Sequence, residues 1–378
     1  PIAIGASGLL LAVAATMKAS AIGFIPAAAL AAFLLPARLS ITSRLRRVVF
    51  PLALGGVIGA LPVFLYLAAD PELFLAHAVG FHTGPHVAYW AAQTGEGSDV
   101  AMSFAARAQL AYLVWTQGAN AVLIFGLVLM ALLLAEVEGR QTIRRLGRKL
   151  LTGPVLLVLA TTVTIFIMSF VPTPSFPQYF APVIVCLVLL LTLLYSRLDS
   201  AQQVRIRPVL VAACVVLLIL NLPRLTQHLG KLPNPESWTP MQVHRHGIAL
   251  AERLAEARLE GKVATLAPVY PLEAELPVYP ELATGQFAYR TAEYTDADLL
   301  RHYTTTYPTE IEALFRDDPP AAFLVGFEPV LEAPMVRFAR ENGYLRVEDL
   351  GITDRYGKGT LYLRDTPGVR EEAGRRPK

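Results

Sequence analysis

Charge is what this sequence has least of. Asp, Glu, Lys and Arg make up 17% of its 378 residues, against about 25% in soluble globular domains. The deficit is uneven. Residues 150–196 contain no charged side chain, and Lys18 is the only one among residues 1–36. Part of the chain is therefore predicted to lie in lipid, a reading in line with a mean hydropathy of +0.46. A net charge of +3 is too small to imply a nucleic-acid partner. Cysteine is scarce too. Cys186 and Cys214 both sit inside apolar runs, so neither a disulfide framework nor a zinc spacing exists. No charged region precedes the first apolar run, which opens at Pro1 rather than Met. That start reads as a truncation.

What is present is a series of long apolar runs. A membrane helix needs about 20 mostly apolar residues to cross about 30 Å of hydrocarbon. About seven runs qualify as predicted spans, over residues 1–17, 19–36, 48–69, 118–135, 151–171, 178–196 and 208–224. The charge-free stretch 150–196 is too long for one helix and suits two. Pro172, Pro174 and Pro177 divide it, because proline removes an N–H and clashes with the preceding turn. The segment VPTPSFPQYFAP (171–182) is thus predicted to be a tight turn at one membrane surface.

Arginine placement predicts the sidedness. Loop 37–47 carries Arg38, Arg44, Arg46 and Arg47; loop 136–150 carries Arg140, Arg144, Arg145, Arg148 and Lys149; loop 197–207 carries Arg197, Arg205 and Arg207. The alternate loops, 70–117 and 172–177, carry only Arg107. The positive-inside rule puts the three basic loops in the cytoplasm and everything after Arg224 outside. In the outer loop, Asp70 and Pro71 are expected to start a helix. TGEGS (94–98) breaks the loop, and a second helix is expected from Ser98 and Asp99 straight into the next span.

Beyond residue 225 charges return to ordinary density. An amphipathic helix is expected over 240–260, strands at 262–267 and 321–327, helices at 308–315 and 329–342, and paired strands at YLRVEDL and GTLYLRD. This predicts a small α/β domain over 226–378, outside the membrane, following a multi-pass helical domain over 1–225. The α/β segment has no Gly-rich phosphate loop and no Ser/His/Asp signature.

Four segments together resemble the polytopic glycosyltransferases of the GT-C fold, in particular the bacterial branch related to protein O-mannosyltransferases and aminoarabinose transferases. GLLLAVAATMKASAIGFIPAAAL (8–30) is similar to that family's apolar segment broken by a basic residue. FLAHAVGFH (74–82), followed by Pro85, Tyr89 and Trp90, resembles its histidine-bearing outer helix. SFPQYFAPV (175–183) is like its proline turn opening a late span, and VYPELATGQFAYR (278–290) lies in a comparable terminal domain. The resemblance implies an enzyme of the bacterial cytoplasmic membrane. It would move a sugar from a polyprenyl phosphate to an acceptor lipid, glycan or protein at the outer face. The family's catalytic carboxylate would then lie upstream of Pro1, leaving this chain as the C-terminal part.

Such chemistry needs a cation for the lipid phosphate and a base for the acceptor hydroxyl. The resemblance makes Lys18 the cation candidate, with snorkelling to the interface as the alternative. His77, His82 and His86 form an outer-loop cluster, with His77 and His82 as substrate-binding candidates and interfacial hydrogen bonding as the alternative. A divalent metal is admitted with His77 as its ligand, although His77 and His82, five apart, share a helical face poorly. Gln178 and Tyr179 are placed to meet a sugar or phosphate, or else to cap a helix and join an aromatic belt. Arg107 either pairs with phosphate or is solvated. Glu273, Glu275 and Glu281 read as solvated loop residues. A transporter or flippase, or a non-catalytic membrane scaffold with an outer binding domain, are the competing readings. A transporter is disfavoured because no second segment repeats the break at Lys18.

Overall fold

The computed structural model describes residues 1–36, 38–93, 100–136, 153–347, 351–353 and 357–366. The basic cluster Arg140 to Lys149, the TGEGS break and the expected helix start at Ser98 and Asp99 lie outside the described residues. The chain divides into two compact units: Pro1–Leu75 with Gln93–Leu225, and Ala76–Ala92 with Thr226–Lys378.

The first unit is helical. Its main helices are α1 (Ile2–Met17), α2 (Phe24–Leu34), α3 (Phe50–Ala69), α4 (Phe104–Thr116), α5 (Ala119–Glu136), α6 (Gly153–Ser169), α7 (Ala181–Tyr195) and α8 (Ser200–Leu229). All seven predicted spans fall on helices, but they do not make seven membrane-length helices. Among the described residues, Ile41–Ala69, Pro177–Tyr195 and Ser200–Gln227 are long and apolar enough to cross a membrane. A fourth is added if the bent pair α4 and α5 counts as one span. The helix α1, with 16 residues, covers only about 24 Å at ~1.5 Å per residue. None of the apolar window in Ser200–Gln227 is buried, so its all-round apolar surface suits lipid rather than water. These helices suggest membrane association.

The expectation that the helix before residue 118 runs straight into the next span is corrected. Ser103 caps α4 by accepting from the Ala106 N–H at 3.1 Å, and α4 and α5 meet at 79°. Gln117 is extended and Gly118 takes φ +56, a left-handed conformation glycine adopts without steric cost. The Asn120 amide donates to the Val114 carbonyl at 2.7 Å, which occupies a carbonyl near the break.

Helices α1 and α3 run parallel and pack at backbone distance. Gly5 meets Gly55, Gly8 meets Leu52, and Gly59 meets Leu9 and Ala12. A Cβ on Gly8 would overlap the Leu52 carbonyl, and one on Gly55 the Gly5 carbonyl. Small residues at such spacing are how helices approach closely where lipid gives no hydrophobic drive. Elsewhere α6 packs on α2 and α7, and α7 on α5.

The second unit contains a four-stranded sheet of β1 (Val263–Ala264), β2 (Ala322–Val325), β3 (Leu345–Val347) and β4 (Thr360–Leu363), in spatial order β1-β2-β4-β3. β1 and β2 are parallel, and the other pairs are antiparallel. β2 is buried along its whole length. Phe323 and Val325 pack with Met335 and Phe338 of α10 (Ala333–Glu341) on one face. Ala322 and Leu324 pack with Leu250 and Leu254 of α9 (Thr239–Glu256) on the other. The expected helices and strands of this region are present in a helix–sheet–helix arrangement, although residues 348–350 of the expected strand YLRVEDL lie outside the described residues. The turns between β1 and β2 add short helices that the sequence reading did not separate, including Val269–Glu273 and Gln286–Thr291.

The segment Ala76–Ala92, read from sequence as part of the outer loop, belongs to this second unit. The Tyr303 hydroxyl donates to the Ala76 carbonyl at 2.7 Å. The Arg290 guanidinium lies 5.1 Å from the Tyr89 ring centroid and 5.0 Å from that of Trp90, a desolvated cation–π contact.

The close approach of α1 and α3 predicts that Gly55→Ala lowers stability by about 1–3 kcal/mol through overpacking. Gly56→Ala should be neutral, because the nearest atom to its Cβ, the Gly8 carbonyl oxygen, is 3.9 Å away. Thermal unfolding of the two variants in detergent checks the contrast.

Candidate functional site

The proline turn is held from outside by α4. Helix α6 ends at Ser169, and the prolines prevent the following carbonyls from being satisfied helically. The Arg107 guanidinium donates through Nη1 to the Phe170 carbonyl at 2.6 Å and to Thr173 Oγ1 at 3.2 Å. The Trp115 indole donates to the Phe180 carbonyl at 2.9 Å. Ala101 and Ser175 exchange two backbone hydrogen bonds, at 3.0 and 3.3 Å. Around them Trp115 stacks on Phe166, and Phe170 meets Phe180 edge-on. Arg107 is half-buried and is not among the residues lining the groove described next. Its donors brace the turn.

From this braced turn the 3-10 segment Pro177–Tyr179 projects Gln178 and Tyr179, and Pro182 sits in the first turn of α7, where its missing N–H costs nothing. Opposite, α1 stops at Lys18, whose backbone is extended, and a 3-10 turn, Ala19–Gly23, leads into α2. Between these elements lies a groove of about 820 Å³. Lys18, Ser20, Gln178 and Tyr179 line one end. The rest is lined by Phe24 and Ala28 of α2, Leu157, Val158 and Ile165 of α6, and Val185 and Leu189 of α7. The trough follows α6 from Leu157 to Ser169, roughly 18 Å at 1.5 Å rise per residue. Thr161 and Ser169 also line it, but their hydroxyls donate to the carbonyls of Leu157 and Ile165, both at 2.8 Å. That leaves the wall essentially aliphatic.

Among the described residues Lys18 is the only charged one lining this groove. Neither its ammonium nor the Gln178 amide has a hydrogen-bond or ion-pair partner among the described residues. Asp70 caps its own helix by accepting from the Leu73 N–H at 2.9 Å. Chemically the groove offers an elongated apolar surface ending in one cation, one amide and one phenol.

The histidines are placed elsewhere, in the second unit. His77 packs edge-on against Tyr303 at 5.0 Å between ring centroids. His82 and His86 face each other at 6.2 Å, with Phe81 stacked on His86 at 5.8 Å. Among the described residues no group of three His, Cys, Asp or Glu is placed to share a metal ion, so no step is routed through one. Burial lowers the His86 pKa, helped by the neighbouring His82 and the Arg290 charge. Glu273 receives His244 at 2.7 Å on the surface, as its reading as a solvated residue allows.

The groove brings together Lys18, Gln178 and Tyr179 from the sequence candidates. The bracing roles of Arg107 and Trp115 were not read from the sequence, because both act on carbonyls more than 60 residues away, as the separations of 63 and 65 show. The chain matches no protein-family model, no curated protein and no solved structure. The likeness to GT-C glycosyltransferases therefore rests on the four segments quoted above.

Arg107→Ala leaves the half-buried Phe170 carbonyl without its donor and should cost about 1–3 kcal/mol, with Arg107→Lys recovering part of it; unfolding in detergent measures both. For His86, a folded pKa below the ordinary value means that unfolding takes up a proton. Its contribution is complete above the unfolded pKa of about 6.5 and is lost as pH falls through the folded value. Hydrogen exchange across Ala76–Ala92, corrected for intrinsic rates, should accelerate between about pH 7 and pH 5. His86→Gln should flatten that dependence.

Proposed function

We propose that the first unit binds a polyprenyl phosphate and that the protein is an integral-membrane glycosyltransferase using a polyprenyl-phosphate-linked sugar donor. The observation that carries this is the groove: an aliphatic trough with a single lysine at its mouth. A long apolar chain gains burial along the trough, and a lysine ammonium serves as a point charge for phosphate. Gln178 and Tyr179 supply donors for phosphate or sugar oxygens beside it.

In the transfer step, an acceptor hydroxyl attacks the anomeric carbon and forms a new glycosidic bond. The bond from that carbon to the phosphate oxygen breaks. Its electron pair leaves with the polyprenyl phosphate, and the acceptor proton passes to a base. Lys18 stabilises the negative charge that grows on the departing phosphate. Among the described residues no carboxylate lines the groove, so the groove accounts for donor binding and leaving-group stabilisation and not for proton removal.

The sidedness in this proposal follows from the basic residues. Arg44, Arg46 and Arg47 precede α3, and Arg197 follows α7. Because α1 and α3 are parallel, Lys18 and the proline turn lie at the end away from both groups. By the positive-inside rule that end is extracytoplasmic.

The test is binding of a polyprenyl phosphate to the purified chain in lipid nanodiscs, followed by native mass spectrometry. Lys18→Ala should weaken binding by about 10-fold or more, the loss of one charge-assisted hydrogen bond. Lys18→Arg should retain most of it, and the uncharged polyprenol should be indifferent to either change. Undiminished phosphate binding by Lys18→Ala would falsify the assignment. A flippase would share this binding, but it would not transfer sugar from the donor to any acceptor.

A further inference from the structure

The second unit contains its own cavity, of about 590 Å³, a size in the range of small-molecule sites. It is built on the open part of the sheet face that α10 covers. Register fixes its floor. Val325 pairs with Thr360, and Tyr362 pairs with both Phe323 and Arg346, so Val325, Thr360, Tyr362 and Arg346 share one face of the sheet. Val336 and Arg340, one turn apart on α10, form the wall above.

Two features of the lining call for a ligand. First, Arg340 and Arg346 are exposed, and neither guanidinium has a partner among the described residues. The third lining arginine, Arg337, is already paired with Glu312 at 2.5 Å. Second, Glu332 is fully buried. Its Oε2 accepts from the backbone N–H groups of Gly326 at 2.6 Å and of Phe327 and Glu328 at 3.1 Å. Its Oε1 is buried with no hydrogen-bond partner among the described residues. An unsatisfied buried carboxylate oxygen is costly, and a hydroxyl donor would relieve it.

The geometry points to a binding site for an anionic sugar, a sugar phosphate or sugar acid, with its anionic group on Arg340 and Arg346 and a hydroxyl donating to Glu332. Guanidinium forks match phosphate and carboxylate oxygens in pairs. The carboxylates of Glu332 and of Glu341, which also lines the cavity, disfavour a bare anion, so the bound molecule needs hydroxyls as well as charge. Val325, Val336 and the Tyr362 ring offer the apolar surface against which a pyranose ring packs. This site does not depend on the reading of the membrane groove, since every lining residue belongs to the second unit.

Ligand-observed NMR on the full chain in nanodiscs tests it, with glucose 6-phosphate, glucuronate, glucose and inorganic phosphate as probes. At least one of the two anionic sugars should bind about 10-fold more tightly than either glucose or inorganic phosphate. Arg340→Ala and Arg346→Ala should each weaken that binding by about 10-fold, and the double variant should abolish it. Both side chains are exposed, so the fold is kept, which thermal unfolding verifies. Arg316→Ala, an exposed arginine away from the cavity lining, should change nothing. The assignment fails if neither anionic sugar binds, if inorganic phosphate binds as tightly as the sugar phosphate, or if binding survives in the double variant.

Discussion

A carbonyl released by a proline turn loses its helical donor, and the first unit is organised around replacing it. Pro172, Pro174 and Pro177 free the end of α6 and the start of α7 from helical pairing. Arg107 and Trp115 supply the donors, at 2.6 Å to Phe170 and 2.9 Å to Phe180. In a low-dielectric setting each of these bonds is worth more than in water, and each unmade one costs more. These bonds brace the turn that carries Gln178 and Tyr179 at the groove mouth. An arginine that looks, in a loop of sequence, like a free charge for a phosphate is thus part of the frame.

The second unit solves a similar problem with different groups. The turn after β2 exposes three consecutive backbone N–H groups, and the buried Glu332 gathers them onto a single carboxylate oxygen. Burial raises the pKa of this carboxyl, against the lowering effect of the three N–H donors. Arg290 plays the corresponding cationic part, held over Tyr89, Trp90 and Phe287 rather than by a carboxylate. Aromatic faces let a guanidinium remain charged away from water without a partner anion. That arrangement is also why the segment Ala76–Ala92 belongs with residues distant in sequence. It brings the rings, and Arg290 brings the charge.

Features that depend on neighbours in sequence were legible. The proline break, the Asp70 cap, the amphipathic helix over 240–260 and the strands around Val263, Ala322 and Thr360 all follow from local chemistry, and the structure has them. Features that depend on which element meets which were not. The glycines at 5, 8, 55 and 59 are plain in the sequence, but nothing there says that α1 lies against α3. Gly118 could have signalled the 79° bend, yet an apolar run on both sides reads as one continuous helix. Helix length was not legible for a related reason. Apolar composition marks a segment that avoids water, whereas crossing a bilayer also requires length, and α1 has the first without the second. Of the candidate residues, Lys18, Gln178 and Tyr179 were accessible because rare polar groups in apolar runs stand out. Glu332, Arg340 and Arg346 were not, being ordinary residues in a segment of ordinary charge density.

The two cavities recruit charge in opposite ways, and that difference follows from their surroundings. On the proposed reading one lysine serves the groove, because no other charged residue among the described residues lines it. Asp70, the acidic residue that ends α3, is occupied in capping. In the α/β unit, with charges at ordinary density, a single exposed cation would be weak. There the anion site uses two guanidinia and sets a buried carboxylate in the same cavity. A long apolar ligand can be held by area and needs charge only at its tip. A small polar ligand has little apolar area to bury, so it must be recognised by several directional contacts at once.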